Sequence, residues 1–166
     1  MQNAPPPPTD WATSGPALAS PLRRVGGFVV DQAIFAVVGG IVLYRAGAGV
    51  GTNFGSPAYD RSALLVFILE LAYELVLVAL LGQTVGALVA GVRIVRQEDG
   101  SLPGWARASR RVATANLPAL IPVAGLIFMA VCYGWMFRDP RRQGLHDKAA
   151  GTVVIDVRRA REYGDR

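Results

Sequence analysis

The chain has 166 residues, of which 52% are hydrophobic and only 17% charged, and its mean hydropathy is +0.34. That is the length of one domain but too apolar for an ordinary soluble one, which directs the reading to the membrane. Lysine and arginine total 17 against 12 acids, yet they flank apolar segments and form no helix-turn-helix, zinc-finger or RNA-binding signature, which argues for a lipid bilayer and against nucleic acid as the partner.

Residues 1–20 hold the Pro5 to Pro8 run and no basic residue, the composition of a disordered proline-rich tail. A membrane-spanning helix needs roughly 20 mostly apolar residues, and Val25 to Tyr44, Ser62 to Leu81 and Val112 to Phe137 approach that length. The first helix begins after Pro21 with Arg23 and Arg24 at its mouth and ends on Tyr44, an interfacial anchor. Its apolar run is too long for a signal core and contains Asp31, so it is read as retained. Gly26, Gly27, Ala33, Ala36, Gly39 and Gly40 suit close helix packing and self-association.

The loop from Arg45 to Arg61 leads to the second helix, which carries Glu70 and Glu74. Gly82-Gln83-Thr84-Val85-Gly86 follows it, and Val92 to Arg96 then alternates as a strand before the turn at Glu98 to Ser101. Trp105 to Val112 sets Arg107, Arg110 and Arg111 at helical spacing, predicting an interfacial amphipathic helix whose arginines contact lipid phosphates. The third apolar stretch has no charge, but Pro118 and Pro122 make one straight helix unfavourable. Thr152 to Ile155 is a second strand, and two such short strands can satisfy their backbone groups by pairing with each other. Residues 158–166 form a charged C-terminal tail.

Arginines and lysines number two before the first helix, two in the first loop, five between Leu81 and Val112, and eight after Phe137. A full third crossing puts ten outside and seven inside, whereas a re-entrant segment puts fifteen inside and two outside. The second count fits the positive-inside rule. The expected fold is therefore an all-α membrane protein with two transmembrane helices, a re-entrant third apolar segment and a small cytoplasmic strand pair. The N-terminus is expected in the cytoplasm of a multi-pass protein of the cell membrane.

Acids inside a span are costly and point by default to function; an unpaired aspartate costs ~2.5–3.5 kcal/mol on insertion scales. Asp31 is seven residues from Arg24, about 10 Å along a helix, too far for a direct bridge. Glu70 and Glu74 are four residues apart, about 40° of rotation, and two carboxylates so placed favour a shared proton or a cation between them. The alternative is that they are neutral and hydrogen-bonded across a helix interface. His146-Asp147 has no accompanying Ser, Cys or metal-ligand pattern, and no G-x-S-x-G is present. No catalytic residue, metal or cofactor is expected, the chain is not read as an enzyme, and Asp147 is expected to pair with an arginine. The single cysteine, Cys132, cannot form an intramolecular disulfide.

Arg24, Asp31 and Asp147 together resemble the arginine and two aspartates for which the RDD family of small membrane proteins is named. Gly82-Gln83-Thr84-Val85-Gly86 is similar to that family's turn after its second helix, and Asp139-Pro140-Arg141-Arg142 with Leu145-His146-Asp147 is similar to its ending. The resemblance runs from about Pro21 to Val157, giving an RDD membrane domain over 21–157. It departs at Ala87, where the family commonly has lysine, and at Gly27, where alanine is frequent. For function it implies transport of unknown ligands, with sodium–proton antiport in some members. Two classes follow: a proton or cation site at Asp31, Glu70 and Glu74 in a homo-oligomer, or a membrane scaffold recruiting protein partners or anionic lipid.

Overall fold

The computed structural model describes residues 18–47, 56–121 and 123–164. The proline-rich tail through residue 17, the centre of the first loop and Pro122 lie outside the described residues. Two long helices dominate: α1 (Pro21–Arg45) and α2 (Pro57–Leu81), each capped by a serine hydroxyl and started by proline. At 25 residues apiece they run about 37 Å, enough for a hydrocarbon core of about 30 Å. Their apolar side chains face outward: Val37 is 64% exposed and Leu64 56%. A water-soluble fold would cover such faces; lipid accommodates them. The chain is a membrane protein with two candidate spans.

Gly82 ends α2 in the left-handed conformation, φ 67°, and a Cβ there would meet the Ile94 carbonyl. The turn it makes leads into α3 (Val85–Ala90), which packs on α1, and then into β1 (Val92–Arg96). Helix α4 (Gly104–Asn116) packs against α2 and continues into a 3-10 turn, Leu117–Leu120. Helix α5 (Ala124–Gly134) folds back onto that turn and reaches α6 (Leu145–Ala150). Strand β2 (Thr152–Asp156) and helix α7 (Val157–Gly164) complete the chain.

β1 and β2 pair antiparallel, Val92 opposite Asp156 and Arg96 opposite Thr152. Leu18 bridges Ile155 at the sheet's edge, and the Ala19 amide donates to the Val154 carbonyl at 2.9 Å. The buried apolar core lies where this clasp meets the ends of the spans, around Val78, Ile94, Ala108 and Val154. Strand pairing fixes the course of the third apolar segment: it leaves β1 and returns to β2, so both flanks share one side. The 11-residue α5 covers about 16 Å, half a bilayer core.

Three sequence expectations change in detail. The second helix starts at Pro57 and not Ser62, because Ser56 caps it and Pro57 fits its first turn. The interfacial helix at Trp105 to Val112 is longer and sits against α2 and α6, with Ala108, Arg111 and Val112 buried. The charged C-terminal tail is helical over Val157–Gly164, started by Asp156, whose carboxylate accepts from the Arg158 and Arg159 amides.

Cysteines introduced at Ser101, before α4, and at Arg159, after β2, test the hairpin in a Cys132→Ala background. An impermeant thiol reagent applied to intact cells is expected to treat them alike, labelling both or neither. Labelling of one alone would mean that the segment crosses.

Candidate functional site

Asp147 sits in the first turn of α6 with no exposed surface. Its carboxylate accepts from Arg24 Nη2 of α1 at 2.5 Å, from Arg111 Nη1 of α4, and from the Gly144 amide at 2.9 Å. Arg24 also donates to the Arg142 carbonyl at 2.5 Å, and Arg142 in turn to the Leu18 carbonyl at 3.0 Å. Burial alone would push the Asp147 carboxyl up, but the Arg111 and Arg24 guanidiniums overrule it and hold the group well below the ordinary carboxylate range. Burial works against the Arg111 charge too, and Asp147 more than compensates, leaving that guanidinium above its usual value.

His146, fully buried beside Asp147, is driven the other way: burial and the two arginines lower its pKa to about 3, against the pull of Asp147. Its ring is therefore neutral at physiological pH. The Cys132 Sγ lies 2.9 Å from Nδ1, which corrects the expectation that no cysteine accompanies the His146-Asp147 pair. The contact spans 14 residues between α5 and α6, and no local spacing announces it. Both side chains are at most 1% exposed.

Asp31, the other acid of the triad, belongs to a separate centre. It accepts from the Tyr73 hydroxyl at 2.7 Å, the Thr84 hydroxyl at 2.6 Å and the Gly86 amide at 2.8 Å. Tyr73 accepts from the Val85 amide at 2.8 Å, and Thr84 from the Ala87 amide at 3.1 Å. The first three amides of α3, orphans in any helix, are thus all satisfied. Close approach makes this work: a Cβ on Gly27 would stand 3.0 Å from the Gly86 carbonyl oxygen. That is the physical use of glycine where the family frequently has alanine.

Between these two centres lies a cleft of about 90 Å³, room for several waters. Asp31, Glu70, Tyr73, Glu74, Arg111 and Asn116 are among its lining residues, so the three acids expected to act together share one cavity. Glu70 accepts from Gln32 Nε2 at 2.5 Å, and Glu74 from Asn116 Nδ2 at 2.8 Å. Among the described residues no group of three His, Cys, Asp or Glu side chains could hold a metal ion.

The predicted lipid-contact arginines separate. Arg111 is a correction: it is 8% exposed and bound to Asp147, because α4 turns that face to α6. Arg107 is half-buried, donating to Glu98 at 2.9 Å and to the Gly151 carbonyl at 3.2 Å. Arg110 is exposed. Sequence reasoning missed Tyr73 and Asn116 as site residues and gave Arg111 a different role. Tyr73 had a signal: with Glu70 and Glu74 it makes a polar stripe at helical spacing within an apolar span.

Removing one partner of a buried ion pair costs about 3–5 kcal/mol, because the other charge is left uncompensated. Arg24→Ala and Asp147→Ala are each expected to destabilise the protein in detergent by that order, with the double variant costing clearly less than the sum. Additive losses in a double-mutant cycle would separate the pair. Acid should also destabilise. Unfolded His146 takes a proton near 6.5 and the folded one only near 3, so between these values the unfolded state binds more protons and stability falls as pH falls. His146→Gln is expected to flatten this part of the thermal-midpoint profile, leaving the later loss as Asp147 is protonated.

The RDD family model matches residues 18–151. No curated protein and no solved structure matches the chain. The matched stretch runs from the Leu18 bridge through α6 and takes in Arg24, Asp31 and Asp147, the residues that organise both centres, and on that coverage the chain belongs to the RDD family.

Proposed function

We propose that the protein moves protons or small cations across the cell membrane, using the acid-lined cleft between α1, α2 and α4. The observation that carries this reading is the convergence of three span carboxylates, with a tyrosine and an asparagine, on one cleft with room for several waters. Two guanidiniums, Arg24 and Arg111, line it with three carboxylates, Asp31, Glu70 and Glu74, and both arginines are already paired with Asp147. The excess of negative charge favours uptake of a cation or proton. Ala87 lines the same cleft, so where the family commonly has lysine no ammonium competes for the acids.

Within this reading the three acids divide the work. Asp31 is engaged by three donors and caps α3, so it holds the wall of the cleft. Glu70 and Glu74 each accept from one amide and keep lone pairs for a proton or a dehydrated cation. Two spans enclose too little for a pathway, which calls for a homo-oligomer; Ala33, Ala36 and Gly40, exposed on α1, suit such packing. The arginine distribution favours a multi-pass arrangement with the N-terminus and the clasp in the cytoplasm.

Proteoliposomes test the proposal. Wild-type protein should give flux driven by a pH or sodium gradient above that of empty vesicles. Glu70→Gln combined with Glu74→Gln should reduce it to background, and Arg110→Gln should leave it intact. No wild-type flux under proton, sodium and potassium gradients, with insertion verified, would reject transport in favour of a membrane scaffold that recruits protein partners.

A further inference from the structure

A second pocket, of about 220 Å³, opens away from the acid cleft, between the α2–α3 turn, β1 and the start of α7. Gln83, Leu88, Gly91, Arg93, Val157 and Arg158 line it. Its charge is basic. Arg93 and Arg158 are both exposed, and among the described residues neither has an ion-pair partner. Arg93 donates to Gln83 Oε1 at 3.1 Å, which fixes its fork toward the pocket wall. Two cations gather at Gly91: Arg158 Nε and Arg23 Nη1 stand 3.8 and 4.0 Å from where a Cβ would be. Asp156, the nearby carboxylate among the described residues, is 5% exposed in its side chain and is held by Arg23 at 2.7 Å, with no ion pair to Arg93 or Arg158.

The apolar surroundings identify the source of the anion. Leu88 is a wall of the pocket and is itself 64% exposed, Val89 beside it is 65% exposed, and both lie on α3 next to the ends of the spans. A cationic pocket continuous with an uncovered apolar helix face matches an amphiphile: a phosphate group in the pocket with acyl chains running along α3. We propose that Arg93 and Arg158, supported by Arg23 and Gln83, bind the phosphate headgroup of an anionic phospholipid whose chains lie against Leu88 and Val89. The site shares no lining residue with the acid cleft and does not depend on transport.

The test titrates the purified full chain, in a zwitterionic detergent, with short-chain phosphatidylglycerol, short-chain phosphatidylcholine or inorganic phosphate, reading apparent affinity from the thermal midpoint. Phosphatidylglycerol is expected to bind at least tenfold more tightly than phosphatidylcholine. Arg93→Gln and Arg158→Gln should each weaken it about fivefold, the effect of one guanidinium near an anionic lipid; Arg110→Gln should change it less than twofold. Arg158 makes no side-chain hydrogen bond or ion pair among the described residues, so its variant should keep the wild-type far-UV spectrum and read the site without the fold. Equal binding of the two lipids, or glutamine variants that match wild type, would overturn the proposal. A phosphate response equal to that of phosphatidylglycerol would make this a free-anion site and overturn the lipid assignment.

Discussion

A carboxylate with no access to solvent cannot stay ionised without cations at contact distance, and Asp147 is built into the fold on that condition. The two guanidiniums that meet it come from α1 and α4, so the ion pairs set where three helices end relative to one another. Arg24 extends the network through Arg142 to Leu18 and the sheet edge. Everything on the clasp side of the spans, including the floor of the acid cleft where Arg24 and Arg111 appear, takes its position from that charge. A second acid could not replace the aspartate freely, because the same carboxylate also accepts from the Gly144 amide at the start of α6.

The triad named by its sequence is thus two devices. Arg24 and Asp147 neutralise each other under the clasp, whereas Asp31 answers a different need, the unpaired amides of a helix that starts against apolar neighbours. Tyr73 and Thr84 act as relays, each accepting one amide and donating to the aspartate, so one side chain on α1 settles three donors on α3. The Gly27 and Gly86 contact brings the two helices near enough for this.

Hydropathy and arginine placement carried the architecture: two long spans, a broken third segment and a strand pair were legible because each has a periodic or compositional signature. Charge counting argued for a re-entrant course, and the pairing of β1 with β2 places the two flanks of that segment together. The failures are contacts made at long range. Arg107, Arg110 and Arg111 look equivalent on a helical wheel, and only the position of α6 separates the buried Arg111 from the exposed Arg110. Cys132 and His146 are neighbours because α5 turns back, and Asn116 meets Glu74 across α4 and α2. Basic residues in strands and in the last helix drew no attention, since β1 and the charged tail were read separately; their union around Gly91 exists only once the sheet has formed.

The bridge between Leu18 and Ile155 brings the two ends of the membrane domain to one sheet edge. Domains whose ends meet at a surface tolerate insertion and fusion, because a flanking sequence enters and leaves at one place without spreading the packed elements apart. In a membrane there is a further consequence: with two candidate spans between them, ends that meet at one edge keep their flanking sequences side by side. This architecture is therefore suited to being spliced between other modules, or set in tandem with itself. The clasp that completes a small helix pair is also what makes it a portable unit.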